Sequence, residues 1–160
     1  MSFMGVNIVP AQVLANTLDM QRDEWLELRK RGIGGSDSAA IVGLDRYRSP
    51  FDVYAEKIGL KPEQPDNEAM RQGRDLEQYV AERFMEATGK KVRRRNAMLQ
   101  HPEYPFMTAN IDRWVVGENA GFEAKTTSVL NRCKFSQGEF PPNYYVQCMH
   151  YMAVTGADRW

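Results

Sequence analysis

A single domain of mixed α/β class is what this sequence predicts, on three observations. Helical periodicity and helix-end signals fill the chain as far as Thr88, strand and turn signals occupy Val92 to Thr126, and a last helical stretch runs from Pro141 to Gly156. Helices, then a small sheet, then a helix is the order of a mixed α/β domain. With 160 residues, 42% of them hydrophobic, the chain can bury one continuous core, so residues 1–160 read as one domain.

The first eighteen or so residues, with Pro10 and scattered small side chains, read as a loosely ordered arm. The first helix is expected from Asp19 to Lys30, where Trp25 and Leu28 supply a short apolar stripe. Gly32-Ile33-Gly34-Gly35-Ser36-Asp37 is a glycine-rich turn, and Ser38 to Val42 continues it as a helix with Ser36 near the N-cap and Gly43 as the stop. Ser49, Pro50 and Asp52 supply a cap, a first-turn proline and an early acid for a helix ending near Gly59. Lys61 to Asn67 is a loop, and Asn67 to Thr88 is the longest helix. Strands follow from Val92, and glycine just past Thr155 closes the final helix.

Composition sets limits on function. Basic and acidic residues number 21 each, so any nucleic-acid surface must come from local segregation of charge. Cys133 and Cys148 lack metal-ligand spacing and read as ordinary reduced thiols. No run of about 18 apolar residues and no export-type N-terminus is seen, so the expectation is a soluble cytoplasmic protein with no membrane partner.

Chemistry concentrates in the β region. Along Gly121-Phe122-Glu123-Ala124-Lys125-Thr126-Thr127, alternation places Glu123 and Lys125 on one face. Ile111 to Val116 reads as the preceding strand and Gly117 to Gly121 as the hairpin connection, which puts Asp112 roughly opposite Lys125. Phosphodiester hydrolysis requires hard oxygen ligands for a divalent metal and a cation near the attacking water, and Asp112, Glu123 and Lys125 are residues of those kinds. A surface hairpin carrying a salt bridge is the alternative. In the long helix Glu77 shares a face with Gly73, Val80 and Phe84, so its carboxylate needs a partner or a metal unless it reaches out to water. Gln147 and Tyr151, four residues apart, stack on one face of the last helix, while His150 reads as an ordinary helix residue.

Five segments together resemble the YqaJ-like viral recombinase family, which groups with phage lambda exonuclease in the PD-(D/E)xK nuclease superfamily. They are Gly32 to Gly43, Met70 to Glu77, His101 to Asp112, Phe122-Glu123-Ala124-Lys125, and Tyr144 to Tyr151. The resemblance implies a restriction-endonuclease-like core, a small mixed central sheet flanked by helices. It implies Glu77, Asp112 and Glu123 as metal-site acids with the Ala124 carbonyl as a further ligand, Lys125 as the catalytic lysine, and Gln147 and Tyr151 as the Gln-x-x-x-Tyr element beside the site. The metal implied is magnesium, with manganese as the alternative. Ser36, with Arg29 beside it, maps to the family's 5′-phosphate pocket; free N–H groups at such a turn favour an anion, although a serine there also serves simply to start a helix. Ile111 stands where a proline often precedes the aspartate. Relatives continue past the last helix with another strand and helix, so the C-terminal part of the family domain is expected to be absent and the sheet incomplete.

Lys90-Lys91-Val92-Arg93-Arg94-Arg95 is a basic run; Lys90, Lys91, Arg93 and Arg94 are candidate contacts to a DNA backbone, with a charge-protected strand edge as the alternative. The expectation is a magnesium-dependent 5′ to 3′ exonuclease acting on double-stranded DNA ends in phage-type recombination within a bacterial host. A single-strand annealing protein would be its partner, and a homo-oligomeric ring its assembly. The alternatives are an inactive DNA-end binding module and an endonuclease using the same metal site.

Overall fold

Chain order in the computed structural model, which describes residues 10–62, 65–127 and 140–160, is β1 (Gln12–Asn16), α1 (Arg22–Arg29), α2 (Gly35–Ile41), α3 (Pro50–Lys57), α4 (Glu68–Thr88), β2 (Val92–Arg94), β3 (Ala97–Gln100), β4 (Thr108–Asn110), β5 (Arg113–Val115), β6 (Gly121–Phe122) and α5 (Pro142–Thr155). Local chemistry fixes the helix ends. At α3 the Ser49 hydroxyl accepts from the Asp52 N–H at 3.2 Å while the Asp52 carboxylate accepts from the Ser49 N–H at 2.8 Å, with Pro50 in the first turn. Asn67 caps α4 by accepting from the Met70 N–H at 3.0 Å, and Gly89 ends it in the left-handed region at φ 70°. Gly156 closes α5 in the same way, at φ 68°.

One expectation about local structure is corrected. Residues 12–16 are not a loosely ordered arm but a strand, β1, paired antiparallel with β3. That partner lies far along the chain, so no local pattern announces it. Ser36 lies near the N-cap of α2 as expected, in the first turn two residues after the cap Gly34.

Two three-stranded antiparallel sheets result, in the orders β1-β3-β4 and β2-β5-β6, with isolated parallel bridges at Ile33–Met107 and Ala120–Arg159. They are two ends of one long hairpin. Between the paired residues Arg94–Arg113 and Met98–Asn110, three residues (95–97) on one side face two (111–112) on the other. Such a bulge bends the strand and re-aims side chains, and Asp112 lies on the strand opposite it. Beyond it Ala97, Leu99, Ala109 and Ile111 alternate inward and form the core with Tyr151 and Val154 of α5. Among the described residues no helix is long and apolar enough to cross a membrane.

The helix pair α2 and α5 packs closely because Gly35 has no side chain. A Cβ there would lie 2.4 Å from Tyr151 Cε1. The Tyr151 ring is buried and its hydroxyl accepts from Gln147 Nε2 at 2.8 Å, so it has little freedom to retreat. Gly35→Ala is therefore expected to lower unfolding stability by about 1–3 kcal/mol, the usual cost of overpacking. A urea midpoint indistinguishable from wild type would show that α2 and α5 separate without cost.

Candidate active site

The β5–β6 hairpin pairs Arg113 with Phe122 and Trp114 with Gly121, so continuing that register sets Asp112 opposite Glu123. The sequence-based register, with Asp112 opposite Lys125, is thus shifted; the connection closes on Val115 and Ala120 around Gly117, whose φ of 82° suits glycine. Asp112 Oδ2 accepts from the Ala124 N–H at 2.9 Å, which ties the bulge to the segment after β6. Trp160 holds the other side of β6, where a Cβ on Gly121 would meet its ring at 2.3 Å.

Glu123 is the centre of the cluster. Its Oε1 accepts from Lys125 Nζ at 2.6 Å and from Gln147 Nε2 at 2.8 Å, while its Oε2 is buried with no hydrogen-bond partner among the described residues. Gln147 also reaches Tyr151, so the i, i+4 pair on α5 bears on the site with Gln147 in contact and Tyr151 behind it. Lys125 Nζ lies 5.2 Å from the centroid of the Tyr144 ring. Burial, reinforced by the charge of Asp112, raises the Glu123 carboxyl to about 7 against the opposing pull of Lys125 and Gln147. Asp112 is raised as well, by burial first and by the charge of Glu77, against the Ala124 N–H and Lys125.

Glu77 reaches the same region from α4, whose Phe84 packs on Phe122 of β6 at a centroid distance of 4.8 Å. Its carboxylate accepts from Arg113 Nη2 at 2.9 Å, and Arg94 Nε lies 3.6 Å away. Arg113 is almost wholly buried and also donates to Gln78. Sequence reading passed over this residue, because an arginine in a strand reads as a solvated face. Among the described residues no group of three or more His, Cys, Asp or Glu side chains is set to hold a metal ion. The donor set nonetheless fits a divalent cation. Asp112 and Glu123 are hard oxygen donors, both raised by burial, Asp112 also by the charge of Glu77 and Glu123 by that of Asp112, and one Glu123 oxygen has no partner among the described residues.

The raised Glu123 carboxyl makes stability depend on pH. Between its ordinary 4.5 and about 7 the folded chain holds a proton that the unfolded chain has released. Stability from this group is complete below about 4.5 and is lost as pH rises through about 7, a fall of roughly 3 kcal/mol. Urea unfolding in EDTA should show that decline, and Glu123→Gln should flatten it; a flat wild-type profile would contradict the burial of this carboxyl.

A second polar cluster surrounds Asp37, whose side chain is fully buried. Lys57 Nζ lies 2.7 Å, Arg48 Nη2 3.0 Å and Arg29 Nη2 3.5 Å from its carboxylate oxygens, and Arg48 also pairs with Glu56. Burial pulls the Asp37 carboxyl upward, but Lys57, Arg29 and the Gly34 N–H outweigh it and hold it below the usual range. Ser36 Oγ accepts from Arg29 Nη2 at 3.2 Å at the edge of a cavity of about 290 Å³ that also meets Arg22, Trp25, Arg48 and Arg74. Sequence reading found Ser36 and Arg29 but not Arg48, Lys57 or the role of Asp37. An acid three residues after Gly34 is a helix-start signal, but nothing local links it to cations on later elements.

The basic run does not form one surface. Lys90 pairs with Glu118 at 2.8 Å and Arg94 faces Glu77, whereas Arg93 and Arg95 line cavities with Trp114 and Leu99 on the other side of β2. Lys91 is exposed. His150 donates from Nε2 to the Thr108 carbonyl at 2.9 Å, and burial lowers its pKa, so it is a neutral core histidine. Cys148 is a free, half-buried thiol; Cys133 lies outside the described residues.

Residues 24–158 match the YqaJ-like viral recombinase domain. The uncharacterized protein YqaJ of Bacillus subtilis (strain 168) is 46% identical over 149 residues, which cover 92% of this chain and 47% of that protein. The chain thus spans about half the length of this curated relative. The crystal structure of an alkaline exonuclease (LHK-Exo) from Laribacter hongkongensis matches with a TM-score of 0.66 at 25% identity, covering 84% of this chain and 69% of that one. The structure of LHK-Exo in complex with dAMP matches with a TM-score of 0.68 at 22% identity over the same shares, a likeness of fold.

Proposed function

The chain belongs to the YqaJ-like viral recombinase family, and we propose that it is a metal-dependent deoxyribonuclease that shortens one strand of duplex DNA from its 5′ end. The observation that carries this reading is the Asp112–Glu123–Lys125 cluster with its unpartnered Glu123 oxygen. Asp112 and Glu123, with the Ala124 carbonyl, would hold a magnesium ion, and Glu77 would join them on leaving Arg113. When bound, the ion supplies positive charge against the scissile phosphate and acidifies a water. Lys125 lies beside Glu123, where its ammonium offsets charge developing on the phosphate and orients the attacking water. Gln147 fixes the rotamer of Glu123 by hydrogen bonding to Oε1, and Tyr151 fixes Gln147.

The second cluster supports the proposed direction and end dependence. An enzyme that starts at an end gains from a separate site for the terminal phosphate, and Ser36, Arg29 and Arg48 surround a cation-rich cavity away from the acids. Arg94, beside Glu77, is the member of the basic run placed to meet a strand entering the acid cluster. The likeness to an alkaline exonuclease supports the same reading. The single strand left behind would pass to an annealing protein.

Digestion of linear and closed-circular duplex DNA, with 5′-phosphate or 5′-hydroxyl ends on the linear form, tests this in magnesium and in EDTA. The expected result is magnesium-dependent loss of linear DNA, faster with 5′-phosphate, and intact circles. Cutting of closed circles would make the site an endonuclease; end binding without turnover in any divalent metal would overturn the enzymatic reading.

A further inference from the structure

On the face of β2 turned away from Glu77, two arginines stand without acids. The register pairs Arg93 with Trp114 and Arg94 with Arg113, so Arg94 and Arg113 share the α4 side while Arg93 and Trp114 share the opposite one. Arg95 lies with Arg93 along the same cavities. Both are exposed, and among the described residues neither has a carboxylate within ion-pair distance. The other cations of the run are engaged differently, Arg94 near Glu77 and Lys90 with Glu118.

Two cavities adjoin this pair. One, of about 300 Å³, has an apolar floor of Leu99, Ile111 and Trp114 and is not lined by Arg94; the other, of about 390 Å³, is lined by Arg93, Arg94 and Arg95 and lies against Val13 and Asn16 of β1. Leu99 and Ile111 belong to the core and Trp114 rests edge-on against Trp160, so the floor is rigid. Among the described residues β2 is also an edge strand of its sheet, the position at which an extended chain can add by backbone hydrogen bonds. We infer that this face binds an acidic, extended peptide segment of a partner protein, its carboxylates on Arg93 and Arg95 and an aliphatic or aromatic side chain on Trp114. Charge complementarity favours an acidic ligand, and the apolar floor favours a peptide over a phosphate backbone, which has no apolar group to place there. None of Glu77, Arg94, Asp112 and Glu123 lines the 300 Å³ cavity, so a side chain seated on Trp114 does not occupy the acid cluster. The inference does not depend on nuclease activity.

Fluorescence anisotropy of the full chain with a short fluorescein-labelled peptide, aspartates alternating with leucine and phenylalanine, tests it. A peptide with lysines in place of the aspartates is the control. The acidic peptide should bind and the lysine peptide should not. Arg93→Glu with Arg95→Glu should weaken binding by about tenfold or more, and Lys90→Glu, in the same basic run but lining neither cavity, should not. If the charge reversal impairs folding, judged by thermal melting, the Arg93→Gln and Arg95→Gln pair serves instead. Equal binding of both peptides, binding that survives loss of both arginines, or loss of duplex DNA affinity in the double variant with no peptide binding overturns the inference; the last result would make this face a DNA contact.

Discussion

Lys125→Ala is expected to slow magnesium-dependent DNA cleavage by about 10²–10³-fold, the usual cost of removing one group that stabilises transition-state charge. The variant acts in two ways that can be separated. Lys125 holds the Glu123 carboxyl down from 2.6 Å, so its loss raises that carboxyl further and weakens metal binding near neutral pH. It also removes the ammonium from beside the scissile phosphate. Titrating magnesium at neutral pH and again at higher pH, where a larger share of Glu123 is ionised, divides the two. The metal requirement should return to that of the wild type at the higher pH, while the rate at saturating metal stays low. A full recovery of rate at high pH and high magnesium would reduce Lys125 to a partner of Glu123 with no part in the chemistry.

How far the sequence revealed this site depends on whether each feature is local. The ends of α3, α4 and α5 were legible because Ser49 with Asp52, Asn67, Gly89 and Gly156 act within a turn of themselves. The residues of the acid cluster could be named from their types and order, but their register could not. Where a hairpin closes decides it, and here the loop closes on Val115 and Ala120, which sets Asp112 against Glu123. The bulge opposite Asp112 arises from a mismatch of one residue between the two arms of the hairpin and leaves no mark in either arm alone. The basic run misled for a simpler reason. Five cations read together suggest one patch, yet alternation along β2 sends Arg94 to the α4 side and Arg93 to the other. Arg113 and Asp37 were passed over because a buried charge is recognised by its partners, and theirs come from other elements.

Asp37→Ala should cost about 3–5 kcal/mol of folding stability, because the three cations around it would lose the buried carboxylate they share. The carboxylate also accepts from the Gly34 N–H at 3.1 Å, so the start of α2 loses its cap as well. Asp37→Asn keeps an acceptor for that N–H but not the charge, and should retain part of the loss. The pH dependence gives a second reading. A carboxyl held below its ordinary range contributes stability that is present above that range and lost as pH falls through it, so either variant should flatten the acid side of the stability profile. Anions supply the decisive comparison. With Asp37 gone, Glu56, paired with Arg48, is the acid left lining the cavity at Ser36 among the described residues, and the cavity's surroundings gain net positive charge. Inorganic phosphate should then raise the melting temperature of Asp37→Ala more than that of the wild type, since a ligand that binds only the folded state stabilises it by mass action. A loss below about 1 kcal/mol, the range of solvated pairs, would mean that water screens these charges; equal phosphate effects on both proteins would mean that the cavity does not take the anion.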